Sequence, residues 1–494
     1  MKRISAIVLF AVAVLSASAQ TNTATRVMSL QDCFAQALQH NLDLQIDRYS
    51  PQISLYSLYS AYGGYDPTFN ISGQHNYNVS PGGVTAQLMP IAAVSSQSDS
   101  FSSGIQGALP TGLAYNFSGN IDDRHFSSYT NISRNSSGNI GVSLTQPLLR
   151  NFWTDNTRLA ISLAKNRLKY SEQTLRQQVI TTITAVENAY YELIYAQENV
   201  KVQQEALNLA QTQLDQDRQR VEFGSLAPLD VQQDEAQVSQ SRANLISAQF
   251  TLASDQNTLK SLITDKYLDW HEVDVQPSAA MEAVRQFFDV QDSWSKGMTQ
   301  RPDLLQARLD VEQQGFQLKY SYNQIFPELD LTGSYGFNGQ GLVYHDTFAQ
   351  FDQGNAPFYT YGAQLSVPLS NVKARNTYKS DKATEQQILL RLKQLEQNIM
   401  VQIDNAVKQA ESTWESVQAT REARTYAEAA LDAEQKKYAV GKSTTFTVLQ
   451  LQNKLTTARS QEIRSLADYN EALASLAQQE GNTLERRQID FKTK

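Results

Sequence analysis

The sequence predicts a mixed α and β membrane protein built from two internal repeats. Three observations lead to this fold class. Two long stretches, 152–264 and 371–480, contain almost no glycine or proline, which is typical of long helical hairpins. Several segments of about ten residues alternate apolar and polar side chains, as strands of a membrane β-barrel do. A short motif near residue 67 recurs near residue 327.

Each helical stretch has one interruption. Within 152–264 the only glycine is Gly224 and the only proline is Pro228, and within 371–480 the only such residue is Gly441. Each stretch therefore predicts a long helix, a tight turn and a returning helix. About 70 helical residues extend about 100 Å, over three times a bilayer core, so these helices project from the membrane. The second stretch also has a coiled-coil seam: Ile388, Leu392, Leu395, Ile399, Ala406, Ala410 and Val417.

Six segments alternate with the period of a strand. Any one of them could instead face a soluble core. Six together, joined by loops rich in Ser, Asn and Gly in a chain without disulfides, favour a barrel with one face on lipid and the other on water. Their apolar positions are Phe69 and Ile71; Ile105 and Leu109; Leu113, Tyr115, Phe117 and Ile121; Ile140, Val142 and Leu144; Leu329, Leu331, Tyr335 and Phe337; and Tyr359, Tyr361, Leu365 and Val367.

The start of the chain has the layout of a secretory signal peptide. Lys2 and Arg3 precede an apolar run over 4–15 and a small-residue site at 17–19, which predicts export. No later stretch approaches the roughly 18 apolar residues that a spanning helix needs. The single cysteine, Cys33, is expected to be a buried thiol.

Sequence offsets define the organisation. Residues 67–73 match 327–333 at an offset of 260, whereas Phe223-Gly224 matches Val440-Gly441 at an offset of 217, so the first strand region is longer by about 40 residues. The predicted divisions are a signal peptide over 1–19; a first repeat over 20–264, with strands over about 67–147 and a helical hairpin over 152–264; an inter-repeat segment over 265–300; a second repeat over 301–480, with strands over about 327–368 and a helical hairpin over 371–480; and a tail over 481–494.

Composition and motifs exclude several functional classes. The chain has a formal charge of −8, and loss of Lys2 and Arg3 with the signal peptide makes it −10, which argues against nucleic acid as a partner. No phosphate-binding loop, Gly-x-Ser-x-Gly elbow or paired acid/base constellation is present. We therefore expect no catalytic residue, cofactor or metal. The histidines lie far apart without ligand spacing: His40, His75, His125, His271 and His345.

The two predicted tips carry the most specific sequence motifs. Residues 220–232 read RVEFGSLAPLDVQ, and YAVG at 438–441 is followed by FTVL at 446–449. Glycine takes the positive φ that ends one helix, and Ser225, or Ser443 and Thr444, can cap the next. Together with the signal peptide and the duplicated order of elements, these motifs resemble the TolC-like outer-membrane efflux protein family over nearly the whole mature chain.

The resemblance implies an assembly and a place in the cell. A homotrimer would close one β-barrel among the lipids of the outer membrane, and twelve long helices would continue it as a coiled-coil α-helical barrel in the periplasm. The tips would meet a periplasmic adaptor (membrane fusion) protein, which links the channel to an inner-membrane transporter. The chain would then be the passive exit duct of a tripartite efflux or type I secretion system, with the inter-repeat segment as a girdle around the tunnel.

The resemblance also implies site residues at the tips. The expected docking residues are Gly224, Ser225, Leu226, Ala227, Gly441, Lys442, Ser443 and Thr444. The expected gate and tunnel-mouth residues are Arg220, Asp230, Tyr438, Thr447 and Gln450. Thr447 and Gln450 stand where some members have two aspartates, and Ser443 stands where they have a latching arginine, so a carboxylate ring and that latch are not expected here.

An extra hairpin departs from the family pattern. It covers 101–121 and turns at Pro110-Thr111-Gly112. The usual four strands per chain become six if it joins the barrel. We expect four, with the hairpin outside the cell, because the number of helices sets the tunnel width that the barrel must match.

Two other classes of protein remain as alternatives. A coiled-coil periplasmic scaffold or surface adhesin would need no pore, but it would have no use for repeated strands with a lipid-compatible face. An exported hydrolase is a weaker alternative, because the acidic residues lie among Gln and Lys on helix faces. The cargo is open to drugs, metal ions or proteins, because the pump sets the selectivity.

Overall fold

The computed structural model describes residues 25–84, 86, 89–128, 131–278 and 280–490. The expected signal peptide lies outside these residues. The chain divides into two compact units, and each draws on both sequence repeats. Unit 1 contains the residues up to 42, 182–287 and 408–475; unit 2 contains 43–181, 288–407 and the residues from 476 onward.

The helices and strands alternate in blocks along the chain. The helices are α1 (Leu30–His40), α2 (Leu42–Asp47), α3 (Tyr49–Tyr62), α4 (Asn156–Glu222), α5 (Pro228–Ile263), α6 (Tyr267–Trp270), α7 (Val290–Gln300), α8 (Pro302–Asn323), α9 (Tyr344–Gln353), α10 (Val372–Ala439), α11 (Thr445–Glu480) and α12 (Thr483–Arg486). The strands are β1 (Thr25–Met28), β2 (Thr68–Ser80), β3 (Gly83–Val84), β4 (Pro90–Ile91), β5 (Val94–Ala108), β6 (Ala114–Ser128), β7 (Asn131–Pro147), β8 (Asp274–Pro277), β9 (Glu328–Gly341) and β10 (Pro357–Ser366).

Unit 2 contains a six-stranded antiparallel sheet in the order β10-β9-β7-β6-β5-β2. The expectation of four strands is therefore wrong. The extra hairpin is β5 and β6, which lies inside the sheet and pairs with β2 on one side and β7 on the other. The hairpin extends over 94–128, beyond the predicted 101–121, and its strands form backbone hydrogen bonds with neighbours on both sides, which an isolated hairpin cannot do.

The turn of this hairpin lies at the end of the sheet that joins the helices. Gly112 has a φ of +86°, and its N–H donates to the carbonyl oxygen of Leu109 at 2.9 Å. Next to the turn, Gln106 pairs with Thr68, the residue that starts β2 soon after α3. The longer connections, including α9, lie at the opposite end of the sheet.

The register gives the sheet two different faces. One row across the six strands contains Phe69, Ile105, Phe117, Val142, Tyr335 and Tyr359. A row on the other face contains Thr68, Gln106, Asn116, Ser143, Ser334 and Thr360. The predicted alternation is thus confirmed across all six strands.

Helix α9 packs against the far end of the apolar face, which the sequence did not predict. A Cβ at Gly339 would come within 2.9 Å of the Phe351 ring, so the glycine allows the close approach of α9 to β9. The hydroxyl of Thr347 donates to that of Ser136 on β7 at 2.8 Å, or accepts from it, and both residues are fully buried.

The two repeats also match in backbone geometry. Asn41 and Arg301, 260 residues apart, end their preceding helices with the same φ of −64° and ψ of 123°. Asn151 and Asn371, at the joints between the sheet and a long helix, both take positive φ values, 65° and 44°. Asparagine is among the few residues that tolerate this conformation, and each repeat places one at the same joint.

Unit 1 contains a two-stranded sheet, all of α5 and parts of α4, α10 and α11. Strands β1 and β8 pair in parallel, and the hydroxyl of Tyr190 on α4 donates to the carbonyl oxygen of Met28 at 3.2 Å. The side chain of Asn41 donates to the carbonyl oxygen of Leu262 at 3.0 Å, and the thiol of Cys33 on α1 is buried, as predicted. The sequence did not predict the pairing of β1 with β8, because strands of four residues carry too little periodicity.

Two apolar cores line α10, and the first includes part of the predicted seam, namely Leu392, Leu395, Ile399 and Ala406. In unit 2, Leu304 and Leu476 pack with Ile399, Ile403 and Val407 of α10. In unit 1, Leu431 and Tyr438 of α10 pack with Val448 and Leu455 of α11. No helix in the described part of the chain is both long and apolar enough to cross a membrane.

Candidate functional site

The first tip connects α4 to α5. Gly224 has a φ of +67°, and its N–H donates to the carbonyl oxygen of Val221 at 2.9 Å. The hydroxyl of Ser225 donates to the carbonyl oxygen of Arg220 at 2.9 Å, so it caps the end of α4. The expectation that Ser225 caps the returning helix is wrong. That helix begins with Pro228, and the residue at its N-cap position is Ala227, whose methyl side chain cannot accept a hydrogen bond.

The second tip connects α10 to α11. Gly441 has a φ of +72°, and its N–H donates to the carbonyl oxygen of Tyr438 at 3.1 Å. The hydroxyl of Thr444 accepts from the N–H of Thr447 at 3.3 Å, so Thr444 caps α11 as predicted. Ser443 does not act as the cap; its hydroxyl donates to Glu434 at 2.6 Å.

Large apolar side chains are exposed beside both glycines. At the first tip Phe223 is 85% exposed and Leu229 is 63% exposed; at the second, Val440 is 68% and Phe446 is 64% exposed. Among the predicted docking residues, Ala227 and Lys442 are exposed and Leu226 is half-buried. None of these four exposed apolar residues was among the predicted docking residues. Their sequence signal was an apolar side chain close to a turn glycine in an otherwise polar segment.

A buried hydrogen-bonded cluster lies between the two tips, within unit 1. The hydroxyl of Tyr438 donates to the carboxylate of Asp217 at 2.7 Å, and the side-chain amide of Gln213 donates to the same carboxylate at 2.7 Å. The Thr445 hydroxyl lies 2.9 Å from that of Tyr438. Asp217 is fully buried and Tyr438 nearly so. The cluster therefore ties α4 to both α10 and α11.

A cation completes this cluster. The guanidinium of Arg220 lies 4.5 Å from the centre of the Tyr438 ring, and its Nη1 is 3.7 Å from Oδ1 of Asp217. Burial is the main cause that raises the pKa of Tyr438 to about 12, so its hydroxyl stays neutral and available as a donor.

The structure brings together only part of the predicted gate set. Arg220 and Tyr438 contact each other directly, and both contact Asp217, which was not among the predicted site residues. Asp230, another predicted gate residue, makes no side-chain hydrogen bond or ion pair within the described part of the protomer. Thr447 is half-buried and Gln450 is exposed. Among the described residues, no group of three or more His, Cys, Asp or Glu side chains is arranged to hold a metal ion.

The family model described as "Outer membrane efflux protein" matches residues 34–264 and 295–482 of this sequence, which together include both tips and the six-stranded sheet. The chain belongs to the outer membrane efflux protein family. The match covers well over half of the sequence, and it confirms the TolC-like resemblance of the tip motifs.

Relatives and solved structures of the outer membrane efflux protein family agree with this assignment. The outer membrane efflux protein BepC of Brucella suis biovar 1 (strain 1330) is 23% identical over 345 residues, which are 69% of this chain and 71% of BepC. The outer membrane protein TolC of Escherichia coli (strain K12) is 24% identical over 322 residues, 63% of each chain.

Two solved channels share the fold. The Campylobacter jejuni CmeC outer membrane channel superimposes with a TM-score of 0.67 and 15% identity, covering 92% of this chain and 86% of CmeC. The open state of the Neisseria gonorrhoeae MtrE outer membrane channel gives a TM-score of 0.65 and 16% identity, covering 92% and 89%. At these identities, the likeness establishes the fold.

Proposed function

We propose that this chain is one of three protomers of an outer-membrane channel that forms the exit duct of a tripartite efflux or type I secretion system. The observation that carries the proposal is the open six-stranded sheet. Its edge strands, β2 and β10, run for 13 and 10 residues, and a bilayer core offers no water to satisfy an unpaired strand edge. Pairing of β2 with β10 of the next protomer would close one barrel and leave no edge.

The same proposal assigns the tips to a periplasmic adaptor, which would connect the channel to an inner-membrane transporter. The exposed apolar side chains of Phe223 and Leu229 at one tip, and of Val440 and Phe446 at the other, support a protein-docking surface. Exposed tips with apolar anchors and small neighbours such as Ala227 suit close packing by a helical hairpin. In this assignment, conduction is passive and the transporter selects the cargo.

Charge substitution at a tip tests the docking assignment. Leu226→Asp and Ala227→Asp each place three charges in the docking surface of a trimer without changing the sheet. We expect both variants to lose export by the native pump in the native host, measured for whichever cargo a deletion of this gene shows to be exported, while trimer and membrane insertion are retained. Ala243→Asp is the matched control: Ala243 is exposed on α5, the helix that follows Ala227, about 24 Å further along by helical rise, and the variant should keep export.

Export and conductance measurements test two different parts of the proposed function, namely the docking surface and the channel. Normal efflux by Leu226→Asp and Ala227→Asp would show that docking lies elsewhere. Absence of any conductance by purified protein in planar bilayers would contradict the channel itself and favour a scaffold or adhesin.

A further inference from the structure

Two buried carboxyl groups join the helices of the first hairpin. Asp217 on α4 and Asp234 on α5 are both 0% exposed, and the charge of Asp217 acts on the carboxyl group of Asp234. Two carboxylates have only acceptor atoms, so they can share a hydrogen bond only when one of them holds a proton. Two interacting carboxyl groups in a buried site therefore favour one bound proton over two negative charges.

The surroundings place that proton on Asp234. Asp217 already accepts hydrogen bonds from Tyr438 and Gln213, and Arg220 lies beside it. Both carboxyl oxygens of Asp234 are buried with no donor in reach among the described residues. Burial, followed by the charge of Asp217, raises the pKa of Asp234 to about 7.

We propose that Asp217 and Asp234 form a proton sensor, in which one shared proton holds the closed tip and its release loosens the tip. The inference rests on the proposed function, because it takes the tips as the gate of a channel. It goes beyond that function by naming the chemical signal to which the gate responds. The pair lies beside the Tyr438 cluster, so a change at Asp234 acts directly on the contacts that tie α4 to α10 and α11.

The direction of the response follows from the charges around the pair. The groups that face it are Gln213 and Arg220 on α4, Asp230 on α5, Tyr438 on α10 and Thr445 on α11. Of these, Arg220 is the one cation in the described set, and it faces Asp217. Loss of the proton places two neighbouring anions in a buried site where one cation cannot balance both, so α4 and α5 repel each other.

The proposed sensor therefore favours the closed tip at low pH and the open tip at high pH. The pKa of Asp234 in the folded tip lies above its ordinary value of 3.8, so the protonated group favours the closed tip. This contribution is fully present below the ordinary value and is lost as pH rises through about 7. Between about pH 6 and about pH 8, the ionised fraction of Asp234 rises from about a tenth to about nine-tenths.

Single-channel recording in planar bilayers across this pH range tests the proposal. The wild-type trimer should open more often, or to a larger conductance, at about pH 8 than at about pH 6. In Asp234→Asn, a neutral amide replaces the protonated carboxyl and donates permanently to Asp217, so the channel should stay in the low-conductance state at both values. Glu235→Gln is the matched control, because it removes the adjacent exposed carboxylate, which pairs with Arg218 at 2.7 Å, and it should keep the wild-type response.

A second readout tests the proton without relying on gating. Burial raises the pKa of Glu471 to about 8, so Glu471 also contributes a protonated carboxyl band at neutral pH. The infrared difference spectrum of wild type minus Asp234→Asn at neutral pH should therefore contain a protonated carboxyl band, and that of wild type minus Glu235→Gln should contain none. Lack of that band, or an identical pH response in wild type and Asp234→Asn, would overturn the proton sensor. Absence of conductance from every variant at every pH would instead contradict the channel, so the two failures can be told apart.

Discussion

At the residue scale, one phenolic hydroxyl joins α10 to α4 next to the two tips. Tyr438 donates to Asp217, and no other residue joins α10 to this buried carboxylate among the described hydrogen bonds. Phenylalanine would keep the ring under the Arg220 guanidinium and remove only this donor. The substitution Tyr438→Phe therefore removes a single oxygen atom from the contact between the two hairpins.

We predict that Tyr438→Phe lowers the free energy of unfolding by about 1.5–3 kcal/mol, the usual contribution of a hydrogen bond to a charged group. It should also raise the conductance in planar bilayers, because the tie between α4 and α10 is weakened. Thermal unfolding and single-channel recording of the detergent-purified protein would measure both effects. Tyr426→Phe is the control, since Tyr426 is 72% exposed on the same helix and should change neither quantity. Wild-type conductance in Tyr438→Phe would place the latch elsewhere.

The residues of the tip differ in how well the sequence predicts them. The sequence predicted the turns at Gly224 and Gly441 because glycine at a break in a long helix is a local signal. The Asp217–Asp234 pair was not predicted. Its members are 17 residues apart on opposite sides of the turn, and they meet only because of the register in which α4 and α5 pack. A pairing of this kind depends on tertiary contacts that carry no sequence motif.

At the element scale, the extra hairpin shows the same limit. Its turn at Pro110-Thr111-Gly112 was predicted, because turn residues act locally. Its place in the sheet was not, because hydrogen bonds to β2 and β7 involve strands elsewhere in the chain. Alternation of side chains identified a strand but gave no information on its neighbours.

The position of this turn leads to a prediction about its side of the membrane. Because the turn lies at the end of the sheet that joins the helices, a maleimide label on Thr111→Cys should react only after the outer membrane is permeabilised. Asn355→Cys, an exposed position at the opposite end of the sheet, should react on intact cells. The native Cys33 is fully buried and gives little background. Labelling of Thr111→Cys on intact cells would contradict the six-stranded arrangement in the membrane.

At the scale of the whole molecule, the open sheet makes a single protomer unsuited to a bilayer. We predict that the protein fractionates with outer membranes and runs in detergent gels as a trimer that dissociates on heating, because each β2 edge requires a β10 edge from another copy. A soluble periplasmic monomer after gentle lysis would contradict this assembly. A resident lipoprotein of the outer membrane serves as the fractionation control.

The fold of the whole molecule was the most predictable level. The long breaker-free stretches and the repeat at 67–73 and 327–333 led to the duplicated order of elements and to the family. Periodicity that persists over many residues averages out local exceptions, so long elements are predictable where single contacts are not. The short strands β1 and β8 and the ten-residue helix α9 were missed for the same reason.

The position of β5 and β6 suggests how such a channel can evolve a different bore. In an antiparallel sheet, removing two adjacent strands restores the directions of their neighbours, so β2 and β7 would run antiparallel without the hairpin. A duplication or loss of one hairpin therefore changes the barrel by two strands per subunit and leaves the junctions to α4 and α10 in place. In a threefold assembly the circumference changes by six strands in one genetic event. In the proposed trimer, the number of strands in the barrel can thus change while the number of long helices stays the same.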